Sequence, residues 1–105
     1  MNLAEKVYII TGKFPKDERF GLISRMRRCA VSVPSNIAEG FMRKNTKEYI
    51  QFLHIALGSL GELDTQLELS KRLKFSSEED IRDLPLELTR KQLYGLIKVL
   101  KMKLG

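Results

Sequence analysis

The chain has 105 residues, 43% of them hydrophobic and 30% charged, which suffices for one compact core and is short for two domains. Nineteen basic and thirteen acidic side chains leave a formal charge of +6, which favours a polyanion or an acidic surface as partner without selecting one. The single cysteine, Cys29, excludes an intrachain disulfide framework, and no run approaches the ~20 apolar residues of a membrane span. Met1–Lys6 lacks the pattern of a signal peptide, so the expectation is one domain over residues 1–105, soluble and cytoplasmic.

Apolar residues recur at helical intervals, with almost no strict alternation. Leu3, Val7 and Ile10 predict a short first helix ending near Gly12. Phe14-Pro15 then predicts a turn, because the residue before proline avoids helical geometry. A second helix is expected from about Asp17 to about Gly40, with the heptad-like line Ile23, Met26, Ala30, Val33, Ile37. Asn45 or Thr46 caps a third, whose line Tyr49, Phe52, Leu53, Ala56, Leu60, Leu63, Leu67 reaches about Leu73. Such a helix is roughly 40 Å long at 1.5 Å per residue. Ser76-Ser77 followed by Glu78-Glu79-Asp80 marks the start of a fourth. Its apolar line is Ile81, Leu84, Leu88, Leu93, Leu96, Leu100 and Leu104, and Pro85 predicts either a kink or a short helix followed by a longer one. Four helices joined by short loops predict an all-α, antiparallel up-down-up-down four-helix bundle.

Charge is unevenly distributed. Residues 13–47 hold nine basic and three acidic groups, whereas residues 48–70 hold four acids and no Lys or Arg. Lys71, Arg72, Lys101 and Lys103 lie near helix C-termini, where the macrodipole favours cations. Arg25, Arg27 and Arg28 fall mid-helix in this pattern with no acid four positions away, so they must meet water, a neighbouring subunit or a phosphate. With Arg43, Lys44 and Lys47 they form the candidate nucleic-acid-binding set.

Beside the apolar seam of the second helix, Arg25, Arg28, Ser32, Ser35 and Glu39 share one face. Pro34 removes a helical donor and frees the carbonyl of Ala30. Ser32, Ser35 and Asn36 are therefore candidates for satisfying a bent helix packed against another helix or subunit, with phosphate or peptide binding as the alternative. In the third helix, Ala56, Gly58, Ser59 and Gly61 predict a close helix contact, inside the bundle or between subunits, since each helical glycine costs ~1 kcal/mol.

The chemistry of an enzyme is missing from the pattern. His54 is the sole histidine and no acid lies three residues before it, so a bundle di-metal site is not available. Cys29 has no nearby His or Asn to activate it and fits a packing role. Glu39, Glu62 and Asp64 form no evident acid–base pair, and no phosphate loop, dinucleotide fingerprint or zinc spacing occurs. No catalytic residue, cofactor or metal is expected. The tyrosines and phenylalanines fall mostly at core spacing, without the aromatic-basic interleaving of base-stacking platforms. Nucleic-acid binding would then be backbone-directed and salt-sensitive.

Three segments carry a resemblance: Phe14-Pro15-Lys16-Asp17-Glu18-Arg19-Phe20-Gly21-Leu22, the run Arg27 to Gly40 (RRCAVSVPSNIAEG), and the run Phe52 to Leu63 (FLHIALGSLGEL). They are similar to the bacterial four-helix-bundle proteins encoded in intervening sequences of large-subunit ribosomal RNA genes, most densely from Phe14 to Leu73. The resemblance implies an antiparallel bundle that assembles into a ring-like homopentamer. A relative, the accessory protein of diversity-generating retroelements, forms such a pentamer, binds nucleic acid through a basic surface and partners a reverse transcriptase. A reverse transcriptase-like or ribonucleoprotein partner is the corresponding expectation here. Arg27, Arg28, Ser32, Ser35, Asn36 and Glu39 match the shared basic and polar motif. The leading expectation is a non-enzymatic, oligomeric accessory protein that binds RNA or DNA without base specificity. The competing one is a protein–protein scaffold whose arginines are consumed in subunit contacts.

Overall fold

The computed structural model describes residues 2–104. It contains α1 (Asn2–Thr11), α2 (Ser24–Phe41), α3 (Thr46–Arg72), α4 (Glu78–Arg82) and α5 (Leu86–Leu104), with no strand among the described residues. All but α4 are ten residues or longer, so the chain is all-helical in the manner of a four-helix bundle. Leu3, Val7, Met26, Ala30, Val33, Leu53, Leu60, Leu63, Leu67, Leu93 and Ile97 meet in one apolar core.

The second helix starts later than the periodicity predicts. Lys16–Glu18 form a 3-10 turn and Arg19–Ile23 a π turn, and only from Ser24 is the helix α. Gly21 takes φ −102°, ψ −108°, outside the helical region, and interrupts the ladder there. Arg25, Arg27 and Arg28 consequently occupy the first turns of α2 rather than its middle.

The most extensive helix contact is between α2 and α3. Gly40 faces Tyr49 and Phe52, Ser32 faces Ser59, and Cys29 faces Glu62. A Cβ on Gly40 would stand 2.8 Å from both Phe52 Cβ and Tyr49 Cδ1, so the missing side chain lets the two helices close. The expectation for Gly58 and Gly61 is revised by the same geometry. A Cβ on either would meet nothing within 4 Å, so neither makes a close contact within this chain.

Helix ends follow local chemistry. Asn45 Oδ1 accepts from the backbone N–H groups of Lys47 and Glu48 at 2.8 and 3.3 Å and starts α3. After α3, Lys74 adopts φ 64° and the Phe75 N–H donates to the Ser70 carbonyl at 2.9 Å, which closes the helix end. Phe75 then packs against Phe14, ring centroids 5.6 Å apart. Ser77 and Asp80 form a capping box on α4, and the Ser77 backbone N–H that donates to Asp80 holds its carboxyl below the usual range.

Pro85 separates α4 from α5, the second of the two outcomes the sequence allows. The break changes which leucines are inside. Leu86, Leu93, Ile97 and Leu100 are buried, while Leu88 and Leu104 of the predicted apolar line are exposed.

Two substitutions test these contacts by urea unfolding. Gly40→Ala is expected to lower stability by about 1–3 kcal/mol, because the added methyl overpacks the α2–α3 contact. Lys74→Gly is expected to raise it by about 1 kcal/mol by relieving a left-handed residue. No loss in the first variant would show that the helices are not held at this separation.

Candidate nucleic-acid interface

α1, the π turn and α2 enclose an open groove of about 540 Å³. Its walls carry Arg19, Arg27 and Arg28, the rings of Tyr8 and Phe20, and the hydroxyls of Ser24, Ser32 and Ser35, and among the described residues no carboxylate lines it. The apolar seam of α2 sets this arrangement. Burial of Ile23, Met26, Ala30 and Val33 leaves Arg25, Arg28 and Ser35 on the outer side of the same helix.

Arg27 is not a free surface cation. Its Nε donates to Thr11 Oγ1 at 2.9 Å, a terminal nitrogen donates to the Tyr8 carbonyl at 3.4 Å, and the guanidinium sits 4.5 Å from the Tyr8 ring centroid. Thr11 is fully buried and passes its own proton to the Val7 carbonyl at 2.8 Å. These partners are neutral, so they fix the guanidinium in place without cancelling its charge. Arg19, Arg25 and Arg28 have no ion pair among the described residues.

The remaining basic candidates lie elsewhere. Arg43 pairs with Glu39 at 2.6 Å and stacks 4.9 Å from the Phe52 ring centroid, so it is engaged within the chain. Lys44 and Lys47 are exposed beyond the far end of α2, which lies roughly 20 Å of helix rise from Arg28. The six predicted cations therefore do not form one patch.

The polar line resolves into a structural part and an open part. Ser32 Oγ lies 2.8 Å from Ser59 Oγ, and Asn36 Nδ2 donates to the Ser32 carbonyl and hydroxyl at 2.8 and 2.9 Å. Asn36 thus serves the carbonyl of Ser32, not that of Ala30 freed by Pro34. Ser35 stays exposed at the groove edge, and Glu39 is occupied by Arg43.

Tyr8, Arg19 and Phe20 were not marked by sequence periodicity. Tyr8 is half exposed and Phe20 is 90% exposed, exceptions to the mostly core spacing of the tyrosines and phenylalanines. Aromatic and basic groups do not interleave along the chain, yet α1 and the π turn bring them together in space. The available signal was the adjacent Arg19-Phe20-Gly21, in which glycine interrupts the helical register.

A second, smaller recess on the other side of Arg28 holds Cys29 and Glu62. The buried thiol donates to Glu62 Oε2 at 2.7 Å. Burial foremost, then the hydrogen bond and negative charge of Glu62, push the thiol up to about 11. Cys29 therefore stays protonated and unreactive near neutral pH. Asp64, the other carboxylate of this helix in question, pairs with Arg90 at 3.2 Å.

Three outcomes follow from this geometry. Arg27→Ala should destabilise the fold by about 1–2 kcal/mol, by removing the hydrogen bond that buried Thr11 accepts and the guanidinium stacked on Tyr8, whereas Arg28→Ala should be within about 0.5 kcal/mol of wild type. Equal thermal shifts in the two variants would contradict the distinction. Because the folded thiol has a raised pKa, its contribution to stability is present below the unfolded value and is lost as pH rises toward about 11. Absorbance titration of the thiolate should show ionisation at lower pH in Glu62→Gln, and an unchanged titration would exclude the Cys29–Glu62 contact.

No curated protein matches the chain at a significant level. The sequence model of one family, described as 23S rRNA-intervening sequence protein, matches residues 1–95, which include every groove residue. The helical architecture and this match over nearly the whole chain agree, and the protein belongs to the 23S rRNA-intervening sequence protein family.

Proposed function

We propose that this chain is a non-enzymatic accessory protein that binds RNA or DNA through the arginine groove, by its phosphate backbone and without base specificity. The observation that carries the proposal is a groove holding Arg19, Arg27 and Arg28 with no lining carboxylate among the described residues. Arg27, held by neutral partners, and Arg19 and Arg28, without an ion pair among the described residues, keep their charge for phosphate, and the serine hydroxyls beside them supply further donors.

The proposal extends to assembly. The opposed contacts of α2 and α3 support an antiparallel up-down-up-down bundle. Gly58, Gly61 and Gly95 face open space beside exposed Ile55, Val99 and Met102, which supports packing of further copies, with a ring-like homopentamer favoured by the resemblance. In such a ring the +6 charge of each chain would add. A reverse transcriptase-like or ribonucleoprotein partner in the cytoplasm belongs to the same proposal. No described helix is long and apolar enough to cross a membrane.

Filter binding of structured RNA and of DNA at rising salt tests the proposal. Affinity should fall steeply with salt, and Arg19→Ala and Arg28→Ala should each reduce the logarithmic salt slope by about 1. Absence of retention at low salt would refute it. Loss of oligomer mass by light scattering in the Arg28→Ala variant, with binding unchanged, would favour a protein–protein scaffold instead.

A further inference from the structure

Phe20 is the most exposed large apolar side chain among the described residues. Leaving a phenyl ring in water forgoes about 1.5–3 kcal/mol of burial, and its neighbours do not share that exposure. Leu22 and Ile23, two and three residues on, are buried in the core. The π turn and the non-helical Gly21 thus turn Phe20 outward while anchoring the residues that follow. The ring projects at the rim of the arginine groove, with the Arg19 guanidinium 6.0 Å from its centroid and Arg27 stacked on Tyr8 across the same groove.

We infer that this groove selects unpaired nucleotides, with Phe20 as a platform for an extruded or single-stranded base and Arg28, Arg27 and the serine hydroxyls on the adjoining phosphates. The inference rests on the nucleic-acid reading above and narrows it to a substrate class. Its basis is the combination of an aromatic face open to solvent, uncancelled guanidinium charge and a volume of about 540 Å³. That volume lies within the roughly 300–1,000 Å³ of sites that enclose small molecules, and so admits a nucleotide-sized group. A duplex keeps its bases stacked inside and presents only phosphates to the groove mouth, leaving the ring of Phe20 without a partner. Stacking tolerates any base, so this selectivity for unpaired strands is compatible with the absence of sequence preference.

The test compares a labelled oligouridylate with an RNA duplex of the same length, by fluorescence anisotropy at fixed salt, using the full chain. Wild type should bind the oligouridylate more tightly. Phe20→Ala should weaken oligouridylate binding by about 5- to 100-fold, spare the duplex and leave the salt slope unchanged. Phe20→Leu, which keeps an apolar side chain without a π face, should lose as much, whereas Phe20→Trp should retain binding. Full retention by Phe20→Leu, or equal losses on both probes, would overturn the platform role while leaving the nucleic-acid reading intact. A fall in solution mass in Phe20→Ala would also overturn it, by assigning the ring to a subunit contact. Binding of neither probe by wild type would remove the nucleic-acid reading itself.

Discussion

The arrangement depends on how the apolar seam of α2 is buried. Met26, Ala30 and Val33 are almost completely removed from water, and at their other side stand Leu53, Ala56, Leu60 and Leu63 of α3. Rotating α2 by even one residue would swing about 100° of helix surface and expose that seam, so the positions of Arg25, Arg28 and Ser35 are fixed indirectly by hydrophobic burial. Gly40 sets how closely the helices approach at one end, and the Ser32–Ser59 contact occupies the middle. Groove geometry is a by-product of core packing.

Within that frame, two kinds of arginine must be separated. Arg43 has an exposed carboxylate partner, and pairs of this sort contribute little to stability while neutralising the charge locally. Arg27 has neutral partners, one of them a fully buried threonine, and its role in docking α1 on α2 leaves its charge uncancelled. Arg28 sits beside it with neither kind of restraint among the described ion pairs, between the groove and the Cys29 recess. A fixed guanidinium next to one without an ion pair suits a ligand whose charges lie along a flexible backbone, since the first orients it and the second is open to it.

Much of the fold was legible because apolar spacing encodes it directly. The helix count, the cap at Asn45, the capping box at Ser77 and the division of the last segment at Pro85 all come from local rules acting on a few residues. The misread positions lie where one residue overrides the period. Gly21 ends the α pattern that Asp17–Ile23 otherwise suggests, the helix restart after Pro85 turns Leu88 outward, and Leu104, on the face of Leu93, Ile97 and Leu100, is exposed at the last residue of α5. The site was legible only as a list of cations. Arg27 and Arg28 are adjacent arginines of one helix and differ little as sequence, yet the partners of Arg27, Thr11 and Tyr8, lie on α1, and the loop residue Arg43 stacks on Phe52 of α3.

By itself, then, the amino-acid order determined an all-helical chain with a basic surplus between residues 13 and 47, because helix period and charge are summed over near neighbours. Only the packing of α1 and the π turn against α2 decided which cations stay uncancelled and that Phe20 and Tyr8 stand among them. Contacts between residues sixteen to nineteen positions apart, such as Arg27 with Thr11 and Tyr8, leave no periodic trace, since they depend on where two helices cross and not on the spacing within either one.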